Sequence, residues 1–419
     1  MVTGYSHMRC GLLGEHLGHS FSPLIHSLLT DYSYDLIEKA PNEVESFVKG
    51  REYNAYNVTI PYKKTVIPFL DVISPEAQQL GAVNTVVNKN GKLYGYNTDY
   101  FGFSHMIDMS GIDIGEKKVV VLGTGGSAVT ICAVLRDRGV GKLVSISRAD
   151  NNPQTLSKHS DTHMIVNCTP VGMYPNNGAA PVDLSLFPRC MGVLDIVYNP
   201  SKTALVLDAE RRGMVAVSGL SMLVAQAVKA FEFFTDHPAE YDACERIVAA
   251  IESQTKNIVL IGMPGCGKST VGKLIAKMLG RPFYDADTEF IKKYNAMPAE
   301  IITSKGEEQF RLMEHEVTNE LGKMSGAVIA CGGGVVTRDY NYDPLHQNST
   351  IVFLERELGN LSTKGRPLSQ SNSLQKLYDS RIDAYCRFAD IRVKSTEIPK
   401  KTAHLIIDKL GGKSKCSYL

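Results

Sequence analysis

Neither sign of charge is in excess: 45 Lys and Arg stand against 44 Asp and Glu, a formal net charge of +1. A dedicated nucleic-acid surface needs a basic excess, so no nucleic-acid partner is expected. No apolar run approaches the roughly 20 residues of a membrane-spanning helix, so no membrane partner is expected either. Residues 1–10 lack a basic end followed by an apolar core, so no secretion signal is expected. The nine cysteines (positions 10, 132, 168, 190, 244, 266, 331, 386 and 416) are odd in number and never in Cys-x-x-Cys spacing. Disulfide scaffolds and zinc sites both need regular pairs. Reduced thiols in a cytoplasmic protein are the expectation.

What is present is ordinary globular material in quantity. The 419 residues, 43% of them hydrophobic, are enough for roughly two to four domains. Short apolar strands alternate with helical stretches, which predicts an α/β fold with parallel sheets and crossover helices. The expected strands include Arg9–Leu13, Asn54–Ile60 (ended by Pro61), Lys118–Leu122, Leu143–Ile146, Met164–Val166 and Val193–Val197. Helices are expected at Ser22–Leu29, Leu220–Phe234 and Thr402–Leu410. The polar stretch 251–257 places a domain boundary near residue 254.

Two different glycine-rich loops follow strands. Gly262-Met-Pro-Gly265-Cys266-Gly267-Lys268-Ser269 fits the loop that wraps nucleoside triphosphate phosphates, with Lys268 on the terminal phosphates and Ser269 on Mg²⁺. Downstream, Asp285 and Asp287 stand two apart at a strand end, so both are expected on one side. One can support Mg²⁺ while the other accepts the proton of an attacking hydroxyl. Arg311 and Glu314 are helix neighbours, and an exposed ion pair is the plain expectation. Gly332–Gly334 follow a strand, where backbone passes close to something. Arg366 lies in a loop of the kind that closes over nucleotide.

Together these residues resemble shikimate kinase, over about residues 257–410. The resemblance implies that Gly265, Cys266, Gly267, Lys268, Ser269, Thr270 and Arg366 bind ATP. Asp287, Arg311, Gly333, Gly334 and Arg381 would bind shikimate, with Asp287 as base and the arginines on the carboxylate. Ser269 and Asp285 would face Mg²⁺. The expected lid, 365–373, is serine-rich.

The other loop, Gly123-Thr-Gly125-Gly126-Ser127-Ala128, has the form of a dinucleotide loop. The next strand ends in Ser147-Arg148 with no acid, which predicts NADP rather than NAD. Asp150 follows closely and would repel a 2′-phosphate if turned inward. Ser20 and Ser22 stand two apart in what reads as an extended segment, because Pro23 disfavours helix before it. Asn57 and Thr59 share one strand face. Lys63, Asn84 and Asp99 follow, the last two in Gly81-Ala-Val-Asn-Thr and Asn97-Thr-Asp.

This set resembles shikimate dehydrogenase, over about residues 8–250. The resemblance implies that Ser20, Ser22, Thr59, Lys63, Asn84, Asp99, Tyr198 and Gln226 bind 3-dehydroshikimate, with Lys63 and Asp99 catalytic. NADP(H) would be held by Gly123, Gly125, Gly126, Ser127, Ala128, Ser147, Arg148, Thr169, Gly219 and Met222. The expected domains are 1–102 with return helices 219–250 for substrate, 103–218 as a Rossmann-like NADP domain, 255–412 as a phosphate-loop kinase, and 413–419 as a tail. The expected whole is a monomeric or homodimeric fusion that makes shikimate and then phosphorylates it. Two alternatives stay open: one half that binds or regulates without turnover, and a first half active on quinate.

Overall fold

A computed structural model of the chain describes residues 2–18, 20–361 and 371–411. Arg366, the expected lid up to residue 370, Cys416 and the tail 413–419 lie outside the described residues. Two compact units emerge: 1–199 with 205–251, and 200–204 with 252–419.

The first unit holds two sheets. One has strands β1 (Arg9–Gly14), β2 (Ser33–Glu38), β3 (Ala55–Val58), β4 (Val72–Ile73), β5 (Thr85–Lys89) and β6 (Lys92–Tyr96), in the order β2-β1-β3-β5-β6-β4. It is mixed: β2, β1 and β3 are parallel, while β5 runs against both β3 and β6. The other has β7 (Lys118–Leu122), β8 (Lys142–Ile146), β9 (Met164–Asn167), β10 (Gly192–Asp195) and β11 (Val215–Ser218), all parallel, in the order β11-β10-β9-β7-β8. Every residue of β7 is buried, as a strand covered on both faces requires. The chain crosses from β7 to β8 on one side and to β9 on the other. The crevice beyond the C-terminal end of β7 is therefore a topological switch point.

The second unit has one parallel sheet of β12 (Asn257–Ile261), β13 (Phe283–Asp285), β14 (Val328–Ala330), β15 (Ser349–Glu355) and β16 (Ile391–Lys394), ordered β13-β14-β12-β15-β16. Its central strand, β12, leads straight into the phosphate loop.

Three local expectations change. The strand expected over Asn54–Ile60 is only β3, leaving Thr59 just past its end. The last helix starts earlier, at Pro399, because proline fits the first helical position, where no N–H partner is needed. Of the two readings of Ser22, the structure shows the helix and not the extended segment: Ser22 opens the expected helix Ser22–Leu29 ahead of Pro23, since the first turn tolerates both residues. Eight cysteines fall in the described residues, all as free thiols. Among the described residues, no helix is long and apolar enough to cross a membrane.

One packing contact positions the first site. Helix Asp99–Ser110 lies against helix Leu220–Thr235, whose Ala225, Ala227 and Ala230 are buried. They touch at Gly102, where an added Cβ would fall 2.7 Å from the Met222 carbonyl oxygen and 3.0 Å from Gln226 Cβ. Gly102→Ala is expected to part the two helices and destabilise the unit by roughly 1–3 kcal/mol, as overpacking does. Amide hydrogen exchange should then show lost protection in both.

Candidate functional site

The first unit encloses a cavity of about 250 Å³. Ser20, Ser22, Thr59, Lys63, Asn84, Asp99, Tyr198 and Gln226 all line it. They come from loops and helix starts around the mixed sheet, from the loop after β10 (Tyr198) and from the helix Leu220–Thr235. At its centre Lys63 Nζ donates to Asp99 Oδ2 at 2.5 Å. Both side chains are mostly buried, 25% and 13% exposed. Asp99 heads its helix, where the dipole favours a negative charge. Its other oxygen accepts from Asn84 Nδ2 at 2.9 Å. Each carboxylate oxygen thus has one donor, which fixes the plane of the group and the position of the ammonium. Burial pushes the Tyr198 phenol up from its ordinary pKa, so it remains a hydrogen-bond donor at neutral pH.

Ser127, Gly219 and Met222 line the same cavity from the side of the β7 crevice. The other residues expected for NADP lie outside it. Gly123 turns at φ +102°, and an added Cβ would stand 3.1 Å from Thr169 Cγ2. Gly125 and Gly126 lead into the helix Gly126–Asp137, which buries Ala128. Its first amides face the crevice, as a pyrophosphate needs. These residues fit a dinucleotide. Ser147 and Arg148 follow β8, but Ser147 Oγ donates to Asp150 Oδ2 at 2.5 Å. The acid is therefore tied to the turn after β8, where the sequence places the expected 2′-phosphate contacts. Asp150→Ala should lower the KM for NADPH roughly two- to fivefold, the scale of an exposed charge pair, with the KM for NADH unchanged.

In the second unit, Gly265 and Gly267 adopt φ of +82° and +100°, which turns the loop amides inward ahead of helix Lys268–Leu279. Lys268 is buried and folds back on the loop, donating to the carbonyls of Gly262 (2.8 Å) and Met263 (3.1 Å). Cys266 is fully buried beside it. Thr270 is exposed on the first turn. Ser269 Oγ donates to Asp285 Oδ2 at 2.5 Å. Two adjacent oxygen donors suit Mg²⁺, which takes few protein ligands and completes its shell with waters and phosphates. Among the described residues, no cluster of three or more His, Cys, Asp or Glu could hold a metal alone.

The two aspartates do not share a strand side. Asp285 ends β13 and caps the helix Ala286–Tyr294, while Asp287 lies within that helix. The chain has already turned, so the two-residue period no longer applies. Asp287 Oδ1 instead lies 3.3 Å from where a Cβ of Gly332 would stand. The Arg311–Glu314 pair is also not exposed. Both side chains are 8% exposed, with Nη1 2.7 Å from Oε2, because they lie against the Gly332–Gly334 turn. Arg311 also pairs with Glu307 at 3.0 Å. Burial raises the Glu314 pKa from its ordinary value, against the pull of Arg311. The Arg311 guanidinium sits directly over Gly334 and fills the place a Cβ there would take. Arg381 Nη1 and the Tyr385 hydroxyl both donate to the Gly333 carbonyl, at 3.0 and 2.5 Å. Asp287, Arg311, Arg381 and the Gly332–Gly334 turn therefore converge on one place.

Sequence reasoning leaves two groups out of the site. Asn57 lines the first cavity; its alternation with Thr59 is the available signal. Tyr385 has no such signal beyond its spacing from Arg381.

A family model described as shikimate kinase matches residues 264–411. Models described as shikimate dehydrogenase substrate binding domain and shikimate 5′-dehydrogenase C-terminal domain match 12–86 and 219–248. The shikimate dehydrogenase (NADP(+)) of Clostridium perfringens strain SM101 is 39% identical over 248 residues, 54% of this chain and 91% of that protein. A solved chorismate mutase/shikimate 5-dehydrogenase fusion protein from Clostridium acetobutylicum is 34% identical with a TM-score of 0.55, over 58% of this chain and 96% of that one. Shikimate 5-dehydrogenase from Thermus thermophilus, solved with NADP(H) and shikimate, is 29% identical with a TM-score of 0.52, over 58% and 99%.

Proposed function

This chain belongs to the shikimate dehydrogenase family and carries a shikimate kinase domain behind that half, and on that premise we propose how its two sites divide the work. It is a bifunctional enzyme of the shikimate pathway. The first unit reduces 3-dehydroshikimate to shikimate, and the second phosphorylates shikimate at its 3-hydroxyl. The product of one site is the substrate of the other.

The Lys63–Asp99 pair, with Asn84 fixing it, is the observation that supports the first activity most directly. Bound NADPH supplies a hydride. Lys63 delivers or relays the proton that the carbonyl oxygen takes up, held at the reacting atom by Asp99. Ser20, Ser22, Thr59, Asn84 and Gln226 offer hydrogen bonds to the ring hydroxyls and carboxylate. Tyr198 closes the mouth of the pocket.

In the second unit, Asp287 accepts the proton of the attacking hydroxyl. Arg311 and Arg381 take the shikimate carboxylate, where guanidinium forks suit bidentate pairing. Lys268 leaves the loop carbonyls for the phosphates of ATP. Ser269 and Asp285 would hold Mg²⁺, whose charge would offset that of the phosphates.

A single reaction containing 3-dehydroshikimate, NADPH, ATP and Mg²⁺, followed by mass spectrometry, tests both halves. Shikimate 3-phosphate is the expected product. Shikimate alone would remove the kinase assignment, and no product would remove the dehydrogenase assignment. Quinate in place of shikimate, with NADP⁺, tests the substrate of the first half.

A further inference from the structure

A polar chain that starts outside the first cavity, at Tyr34, ends on the Asp99 carboxylate. Tyr34, on β2, donates its hydroxyl to Asn57 Oδ1 at 2.7 Å. Asn57, on β3, is 5% exposed, and its Nδ2 donates to the Asn84 carbonyl (3.3 Å) and to Thr85 Oγ1 (3.1 Å). Thr85 Oγ1 in turn donates to Asn84 Oδ1 at 3.0 Å. Asn84 Nδ2 then donates to Asp99 Oδ1. The links from Asn57 to the Asn84 amide are buried, where each group must keep a partner.

The chain has a direction, and Tyr34 sets its start. A phenol next to an amide oxygen donates. That leaves the Asn57 amide nitrogen facing the Asn84 carbonyl and Thr85, while Asn84 Oδ1 accepts from Thr85 Oγ1 (3.0 Å) and from the Thr98 N–H (2.7 Å), which keeps the Asn84 nitrogen toward Asp99. Without the phenol, buried Asn57 Oδ1 loses that donor, and a flip of its amide would set the oxygen against Thr85 in competition for the proton that Asn84 now receives. A single unpaired polar group in low-dielectric surroundings is costly enough to reorder such a chain.

The ring of Tyr34 is itself held. It stacks on His26 with centroids 4.0 Å apart and planes 12° apart. His26 Nδ1 lies 2.6 Å from the Tyr32 hydroxyl, and Phe234 stacks on the same imidazole at 5.8 Å. Burial pushes the His26 pKa down to about 3, and its Nε2 has no partner among the described residues. His26 is therefore a neutral platform beneath the Tyr34 ring.

We propose that Tyr34 is a positioning residue for the reduction, acting through Asn57, Thr85 and Asn84 to hold the Asp99 carboxylate in line with Lys63. The inference rests on the dehydrogenase assignment of this site. Tyr34 lines no part of the cavity, so it touches neither substrate nor cofactor.

A double-mutant cycle tests it in the full-length protein. Tyr34→Phe should lower kcat for 3-dehydroshikimate reduction about tenfold, the scale of one hydrogen bond, with the KM for NADPH within about twofold of the parent. Thr85→Val interrupts the same chain without touching the aromatic platform and should do the same. It decides the matter if Tyr34→Phe fails to fold. In an Asn84→Ala background the chain is already cut, so either change should cost less than about twofold more. A full tenfold loss in that background would mean a merely structural effect and overturn the proposal. An unchanged kcat in both single variants would also overturn it. A parent protein that does not reduce 3-dehydroshikimate is a separate failure, of the assignment itself.

Discussion

Lys63→Met is expected to lower kcat for 3-dehydroshikimate reduction by on the order of 10²–10⁴, the usual contribution of a positioned general acid or base. The methionine keeps most of the side chain's length and packing but cannot donate. Asp99 would keep only the Asn84 donor on Oδ1 and lose the ammonium 2.5 Å from Oδ2. The KM for NADPH should move little, because the expected cofactor loop lies on a different sheet. Asp99→Asn should cost a similar factor, since an amide does not hold the ammonium as a carboxylate does. The two losses should not add in the double variant, because residues acting as a unit are strongly non-additive. Phosphorylation of added shikimate by the same preparation is the internal control for folding and should stay at the parent level. Stopped-flow loss of NADPH absorbance measures the effect. A loss below about tenfold for both single variants would remove the pair from the chemistry.

The second large effect is expected in the other unit. Asp287→Asn should lower kcat for shikimate phosphorylation by a similar order, roughly 10²–10⁴. The change is isosteric and keeps a hydrogen-bond acceptor near the Gly332 turn. It removes the negative charge that we propose accepts the hydroxyl proton. ATP binding should survive, because the phosphate loop and the Ser269–Asp285 bond (2.5 Å) do not depend on Asp287. The neighbouring charges sharpen the expectation. Glu314, already pushed upward by burial and also raised by Asp287, would lose a like charge and ionise more readily. Arg311 would then stay with Glu314 at least as firmly, so a simple release of the substrate-side arginine would not explain the loss. A coupled assay for ADP gives the rate, and reduction of 3-dehydroshikimate by the same sample controls for folding. If phosphorylation persisted near the parent rate, the hydroxyl proton would need another acceptor, and Asp285 would be the next candidate to replace.

Much of this architecture is legible in local sequence. The apolar runs at Lys118–Leu122, in Ile258–Ile261 and around Met164 are all strands, because a short continuous apolar run suits a strand buried on both faces. The phosphate loop is legible for the same reason. Glycine φ values and a following helix are properties of a few consecutive residues. Where local rules meet at a junction they mislead. Ser22 reads as extended, although the first helical turn accepts it. Asp285 and Asp287 read as sharing one strand face, although the chain turns into a helix between them.

The sequence by itself determined two glycine loops, three sets of strands and the residue types that two chemistries require. Only the tertiary structure decided that they meet. Lys63 reaches Asp99 across 36 residues, and Thr98 reaches Gln226 across 128. Those meetings depend on strand order and on one helix crossing that Gly102 permits. The burial of Arg311 with Glu314, and the line of hydrogen bonds from Tyr34 to Asp99, are likewise products of packing. The physical reason is range. Backbone preferences act over a few residues, whereas a catalytic pair is assembled by the burial of apolar faces contributed from far apart in the chain.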